Sequence, residues 1–221
     1  MKLRCLAVFL CLLTTVTLAA DHKLGRVESA PDGLSPDIAK LLDQKGYQIN
    51  GSKGPVAEIW WVQEIALKDG FKPSLGQMYP FQAGQLLGAL RVTKGADFTD
   101  FRNQQIKAGV YTLRFGLQPS DGNHVGTSET SDFVLALPAA VDTKTDAIKT
   151  FQDLTKLSAK ASGATHPAIF SLVDAKKAGD AATLEKHGAE HWVLSVVLSG
   201  KNATGAVPVK LRLIVVGHAE G

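Results

Sequence analysis

Apolar and polar positions alternate over long stretches of this chain. The clearest stretch is residues 110–118, where large apolar side chains occupy every second position: Tyr111, Leu113, Phe115 and Leu117. A period of two is typical of a strand with one buried face. Apolar runs predict further strands at residues 56–67, 86–93, 133–138, 192–198 and 207–215. The connection 200–205 joins the last two, which should therefore form an antiparallel hairpin.

Three segments instead carry the spacing or the capping residues of helices. The first helix is predicted to follow the N-cap Ser35 and to end at Gly46. A helical insert is predicted over residues 145–162, with Thr145 as its N-cap. The pattern also favours a short helix over residues 181–187.

These elements define the expected fold class. Because strands outnumber helices, we expect a mostly β protein, namely an antiparallel β-sandwich, Ig-like or jelly-roll-like, with one or two helical insertions. Residues 35–221 would form this single domain. Residues 21–34 are polar and aperiodic, so we expect a flexible tether there. The basic residues at outward strand positions are expected to face solvent: Arg91, Arg114, Lys210 and Arg212.

The first twenty residues have the layout of a cleaved export signal. The basic residues Lys2 and Arg4 precede an apolar stretch over residues 5–16 and small residues up to Ala20. We therefore expect residues 1–20 to be a signal peptide and the protein to be periplasmic or extracellular. No later segment is long and uncharged enough to span a bilayer, so no transmembrane segment is expected after signal removal.

Composition and charge exclude several classes of protein. Hydrophobic residues make up 45% and charged residues 20% of the chain, which excludes a collagen-like or wholly disordered protein. The net charge of +3 falls to about +1 without Lys2 and Arg4, so no nucleic-acid partner is expected. Both cysteines, Cys5 and Cys11, lie in the signal. Thiol catalysis and thiolate metal sites are therefore excluded from the exported form.

Strong catalytic motifs are missing from the sequence. It contains no Gly-x-Ser-x-Gly elbow, Walker loop, dinucleotide-binding glycine pattern or His-Glu-x-x-His helix. No catalytic or cofactor-binding residue is predicted. The predicted function is therefore that of an exported, non-catalytic binding or structural protein of the cell envelope, whose partner is a protein, a glycan or an envelope component.

Two histidines and a carboxylate motivate an alternative function. Asp121 and His124 lie in a turn-rich loop after the clearest strand, and His166 precedes the apolar run 168–173. Were all three at the same end of a sheet, their side chains could ligate copper or zinc. The alternative is therefore an exported metal-binding protein. The competing explanation is that Asp121 and its neighbours simply form a turn.

Tryptophan supplies a second candidate site. Trp60 and Trp61 are adjacent in a predicted strand, so their side chains point to opposite faces of the sheet. Trp60 shares its face with Glu58 and Glu64, which makes it the candidate for stacking on a ligand such as a sugar. The alternative is that Trp60 packs in the core or beneath a helix.

One segment resembles a known group of proteins. Residues 106–115 contain a glycine turn followed by an alternating aromatic strand, the Gly109-Val110-Tyr111-Thr112-Leu113 pattern. This segment and its continuation to residue 135 resemble uncharacterised exported bacterial β-sandwich proteins, over about a sixth of the chain. The resemblance implies export and a sandwich fold, and it implies no catalytic residue.

Overall fold

The computed structural model of the chain describes residues 21–119 and 128–219. The predicted signal peptide lies outside these residues, as do Asp121 and His124. The described strands are β1 (Lys23–Val27), β2 (Gly46–Gly51), β3 (Gly54–Trp61), β4 (Ile65–Ala66), β5 (Leu86–Val92), β6 (Gly109–Leu117), β7 (Asp132–Pro138), β8 (Ala168–Ser171), β9 (Thr183–His187), β10 (His191–Asn202) and β11 (Gly205–Val216). The described α-helices are α1 (Pro36–Leu41) and α2 (Phe151–Ser162), and a 3₁₀ turn covers Ala175–Lys177.

The larger sheet has seven strands in the order β1-β2-β3-β5-β6-β7-β8, and every neighbouring pair is antiparallel. The strand predicted from the clearest alternation is β6, at the fifth position of this order. The apolar runs 86–93 and 133–138 form its two neighbours, β5 and β7. These three predicted strands are therefore confirmed, and they are neighbours in the sheet.

The smaller sheet is built on the predicted C-terminal hairpin. β10 and β11 pair antiparallel from Trp192 opposite Val216 to Asn202 opposite Gly205, which confirms the prediction. The other edge of β10 is shared by two short strands. β9 pairs antiparallel with its first part, and β4 pairs parallel with its last part.

The core lies between the two sheets. Apolar side chains from both sheets belong to one buried cluster that includes Ile59 and Leu113 of the larger sheet and Leu211 and Leu213 of the smaller one. The sheets also join at one side, because the chain after β8 bridges from Leu172 to Leu213. The protein is thus mostly β with antiparallel sheets packed as a sandwich, which confirms the expected fold class.

Helix α2 covers the outer face of the larger sheet. Leu154 packs with Leu135 and Leu137 of β7, and the buried Ser158 hydroxyl donates to the carbonyl oxygens of Ala136 and Ala168. The helix begins at Phe151 with Thr150 as N-cap, so the predicted start at residue 145 is wrong. Residues 142–148 are instead irregular, with a bend at residues 145–146, and are held by hydrogen bonds described below.

Three further expectations are corrected. The predicted tether contains strand β1, whose five residues all pair with β2. Helix α1 does use Ser35 as N-cap, but it ends at Leu41, and Gly46 begins β2. Residues 183–187 form a strand and not a helix, because they pair with β10 through a turn in which Gly188 has φ +65°. In each case, pairing with a neighbouring strand overrides the local helical or irregular pattern.

Candidate binding groove

An open groove of about 540 Å³ lies beside β4. Its walls come from four separate parts of the chain: the end of α1, residues 62–68, the start of β5, and residues 145–147. The apolar lining residues are Leu41, Val62, Ile65, Ala66, Leu67, Leu86 and Ala147. The polar lining residues are Lys40, Gln63, Glu64, Lys68, Gln82, Gln85 and Thr145. An apolar surface with a few placed polar groups is typical of binding sites.

The edge of strand β4 that faces away from β10 is occupied as well, because the Lys68 N–H donates to the carbonyl oxygen of Pro80 at 2.8 Å. The N–H of Leu67 donates to the carbonyl oxygen of Lys201 in β10 at 2.7 Å. Because successive residues of a strand direct their backbone groups to opposite edges, the N–H and carbonyl of Ala66 point away from β10. The Ala66 carbonyl accepts a hydrogen bond from the side-chain amide of Gln85 at 2.8 Å. A side chain thus stands where a neighbouring strand would pair.

Helix α1 is fixed to the groove by Gln63. The backbone N–H of Gln63 donates to the carbonyl oxygen of Leu41 at 2.8 Å, and its side-chain amide donates to the carbonyl oxygen of Leu42 at 2.8 Å. These bonds satisfy carbonyl groups that the end of a helix leaves unpaired. The Leu41 side chain remains 43% exposed at the groove. An exposed leucine is thereby held in a defined position.

Arg114 holds two other walls of the groove together. This side chain is fully buried, and its Nε and Nη2 atoms donate to the carboxylate of Asp142. Nη1 donates to the carbonyl oxygens of Gly84 at 2.9 Å and Asp146 at 2.8 Å, and Nη2 also donates to that of Lys144. The guanidinium therefore ties the segment before β5 to residues 142–146. Both segments contribute lining residues to the groove.

Gly84 lies in close contact with the backbone of Ile148. Its φ is +78°, and a Cβ at this position would lie 2.0 Å from the carbonyl oxygen of Ile148. Its own carbonyl accepts from the N–H of Ile148 as well as from Arg114. Only glycine fits here without moving the backbone, because both the conformation and the space exclude a side chain.

The charges at the groove are only partly neutralised. The Glu64 carboxylate lies 3.5 Å from the ammonium of Lys201, and the Lys40 ammonium lies 3.5 Å from Asp37. The Lys68 ammonium donates to the side-chain oxygen of Gln77 at 2.7 Å. Among the residues that the structure describes, no carboxylate lies within 4.0 Å of Lys68. The Lys68 charge acts instead on the buried Asp132 carboxyl group, where it partly opposes the rise in pKa that burial causes.

Trp60 lies buried on the outer face of the larger sheet. It belongs to the same buried cluster as Ile38 and Leu42, which come from α1 and its end. A Cβ at Gly46 would lie 2.5 Å from its indole nitrogen, so the ring is covered on this side as well. A ligand cannot stack on this ring in the observed arrangement. The structure instead matches the alternative in which Trp60 packs beneath a helix.

His166 is exposed and follows the end of α2. Because Ala136 of β7 is opposite Ala168, His166 lies near the carboxyl end of β7. The described stems of the loop that carries Asp121 and His124 lie at the opposite end, where Gln118 donates to Ser131. The stems of this loop therefore lie at the other end of the sheet from His166, and Asp121 and His124 themselves lie outside the described residues. Within residues 21–119 and 128–219, no three His, Cys, Asp or Glu side chains are grouped to hold a metal ion.

Two other buried carboxylates have structural partners. Asp132 accepts hydrogen bonds from the backbone N–H groups of Met78 and Tyr79, at 2.8 and 2.9 Å. Asp100 accepts from the N–H groups of Arg102, Gln104 and Ile169. Burial raises the pKa of both carboxyl groups, and these hydrogen bonds partly oppose the rise. Because both groups fix loops against the larger sheet, their pKa shifts do not indicate catalysis.

The residues that build the groove were not identified from the sequence. Arg114 and Arg212 were expected to face solvent, but Arg114 is fully buried and Arg212 is 2% exposed. Arg212 donates to Ser195, to the carbonyl oxygen of Asp174 and to Glu185. Both arginines do point away from the core, as alternation predicts. Other segments of the chain cover that outer face. The alternation in a strand predicts which side chains point outward but not whether another segment covers them.

Family models, curated proteins and solved structures give no match to this chain. The resemblance to exported bacterial β-sandwich proteins therefore stays a prediction. In the described part of the chain, no helix has the length and apolar character needed to cross a membrane.

Proposed function

We propose that this chain is an exported, non-catalytic binding protein of the cell envelope, and that it holds its partner in the groove beside β4. The groove itself carries the proposal. It combines an apolar lining, an exposed leucine and side-chain amides on walls held by a buried arginine. Export to a periplasm or the cell exterior is supported by the layout of residues 1–20.

The rigidity of the walls supports binding. Arg114 fixes residues 142–146 and Gly84, while Gln63 fixes the end of α1. A site that is already formed loses less conformational entropy when a ligand binds. The groove is therefore suited to recognise a ligand of defined shape.

A comparison of two exposed apolar residues tests the site. The purified protein is applied to a peptide array, a glycan array and isolated envelope material, beside the variants Leu41→Gln and Phe151→Gln. Leu41 lines the groove and is 43% exposed, whereas Phe151 lies at the start of α2 and is 49% exposed. We expect Leu41→Gln to weaken binding and Phe151→Gln to leave it unchanged. If Leu41→Gln binds as strongly as Phe151→Gln and the unchanged protein, the binding site lies elsewhere.

Export is tested separately by mass spectrometry of the secreted protein. We expect a mature chain that begins at Ala20 or Asp21, after cleavage by a signal peptidase. A full-length chain retained inside the cell would contradict the exported location without affecting the binding test.

A further inference from the structure

We infer that the N-terminus of the exported chain binds copper(II) through its terminal amine, the backbone nitrogens of Asp21 and His22, and the imidazole of His22. This site is separate from the groove. The inference does rest on the export proposed above, because cleavage of the signal creates the terminal amine. Three observations carry it: the residues around the cleaved bond, the histidine that follows them, and the point at which β1 begins.

The residues before the cleaved bond favour one of the two N-termini named above. A signal peptidase selects small side chains at the residue before this bond and at the residue two positions earlier. Cleavage after Ala19 places Thr17 at the earlier position. Cleavage after Ala20 places the larger Leu18 there. The mature chain should therefore begin with Ala20, which makes His22 its third residue.

A histidine at the third position completes a set of four nitrogen ligands. The terminal amine, the next two backbone nitrogens and Nδ1 of the histidine form fused chelate rings around one ion. A planar set of nitrogens suits copper(II), which also binds nitrogen ligands more tightly than nickel(II) or zinc(II) does. Zinc(II) prefers a tetrahedral arrangement. Binding releases the protons of the two amides and of the terminal ammonium to solvent, and copper stays in its divalent state.

The structure places these residues immediately before the first strand. The ladder between β1 and β2 begins with Lys23 opposite Asn50, so coordination by the Asp21 and His22 nitrogens breaks no pair of the sheet. Asp21 is exposed to solvent. The ligands are therefore accessible to an ion, and β1 fixes the residue that follows them to the larger sheet.

The His22 imidazole contacts the Trp192 indole in β10. The ring centroids are 5.4 Å apart, with an angle of 57° between the ring planes. Nδ1 of His22 is buried in this arrangement, so the imidazole must turn for Nδ1 to reach the ion. Binding should therefore change the contact with Trp192, and the paramagnetic ion should quench the fluorescence of this indole. Trp192 thus provides an optical signal for copper at His22.

The test uses the mature protein purified after secretion, whose N-terminus is determined by mass spectrometry. Copper(II) is titrated into it, and calorimetry, visible absorption and electron paramagnetic resonance follow the binding. We expect a chain that begins at Ala20, one ion per chain, and the spectra of a square-planar ion with four nitrogen ligands. Binding should be lost as the pH falls, because the ligands must lose their protons. A mature chain that begins at Asp21 would overturn the inference and leave export in place.

Matched variants test the ligands one at a time. His22→Ala should lose the binding, whereas His166→Ala, at another exposed histidine, should keep it. Deletion of Ala20, with Asp21 confirmed as the new N-terminus, moves the histidine to the second position and should remove the four-nitrogen spectra. Trp192→Phe should keep these spectra and lose most of the copper-dependent quenching. Unchanged spectra in His22→Ala, or in the protein without Ala20, would contradict the assigned ligands.

Acetylation of the terminal amine supplies a test that changes no side chain. It removes one of the four ligands and should abolish the square-planar spectra, even if His22→Ala does not fold. Four-nitrogen spectra that survive acetylation would overturn the inference. Thermal unfolding confirms that each variant is folded.

The copper site and the groove are tested independently of each other. His22 is not among the residues that line the groove, so Leu41→Gln should bind copper(II) as the unchanged protein does. Loss of groove binding in Leu41→Gln, with copper binding retained, would support both proposals. Retention of the full-length chain inside the cell would overturn export and the copper site together, without affecting the groove.

Discussion

At the residue scale, the five N–H donors of Arg114 meet five acceptors in a fully buried position: two carboxylate oxygens of Asp142 and three carbonyl oxygens. Removing two charges from water costs several kcal/mol for each ion, and good geometry is needed to offset this. The pair is therefore not a large source of net stability. Removing only one member of the pair is nevertheless costly, because the charge of the other member stays buried.

The variant Arg114→Met should lower the free energy of unfolding by about 3 to 5 kcal/mol. The loss arises because Asp142, which is 4% exposed, keeps a buried carboxylate with Thr112 as its remaining side-chain partner. Urea unfolding measures the difference. The double variant Arg114→Met with Asp142→Leu should recover part of the loss, since no unpaired charge remains. A double variant less stable than the single one would show that the ion pair was not the cause.

Gly84 and Gly95 provide a matched test of the close approach between the groove walls. Their φ values are +78° and +82°, but only Gly84 faces a backbone atom where a Cβ would stand. Gly84→Ala should lower the free energy of unfolding by more than about 1 kcal/mol, and by clearly more than Gly95→Ala does. Chemical denaturation of both variants checks this. Equal losses would mean that left-handed backbone strain alone explains the effect.

At the element scale, the predictability of each segment depends on what decides its conformation. Strand β6 and the C-terminal hairpin follow from alternation, because one buried face imposes a period of two. Residues 183–187 and β1 do not follow from their own patterns, since each is a strand only through pairing with a neighbour. The capping signal at Ser35 is correct, but the one at Thr145 is not, because the N-cap of α2 is Thr150.

The start of α2 can be tested by the same substitution at two places in one helix. Thr150 is the N-cap and accepts a hydrogen bond from the N–H of Asp153 at 3.1 Å, whereas Thr155 lies within the helix. Thr150→Ala should lower the free energy of unfolding by about 1 kcal/mol. Thr155→Ala should leave it unchanged or raise it slightly, because alanine has the higher helix propensity. Thermal and urea unfolding measure both, and a larger loss at Thr155 would contradict the assigned cap.

At the scale of the whole molecule, the sequence predicts the fold class but not the groove. The class depends on the number and period of the strands, which can be counted along the chain. The groove depends on residues that are distant in sequence and brought together by buried polar contacts such as that of Arg114 with Gly84. Alternation assigns Arg114 and Trp60 to the outer face correctly. It does not show that α1 and residues 142–148 cover this face.

The buried carboxylates make stability depend on pH across the whole domain. Burial raises the pKa of Asp100 and of Asp132 above that of an exposed aspartate, which is about 4. A raised folded-state pKa means that the folded protein binds more protons than the unfolded chain between the two pKa values. The contribution of each group to the free energy of unfolding is therefore full below about pH 4 and falls as the pH rises through the folded-state pKa.

The variant Asp132→Asn tests this sign, because asparagine stays neutral at every pH. It loses one acceptor for the N–H groups of Met78 and Tyr79, so it should be less stable than the unchanged protein at pH 4. The difference in stability between the two proteins should shrink as the pH rises toward 7, because only the aspartate is then charged and burial of that charge destabilises the fold. Urea unfolding of both proteins across this range measures the trend. Asp37→Asn, at an exposed position of α1, serves as the control. If the stability difference between Asp132→Asn and the unchanged protein widened with pH, the partners of the Asp132 carboxylate would stabilise it more than burial destabilises it.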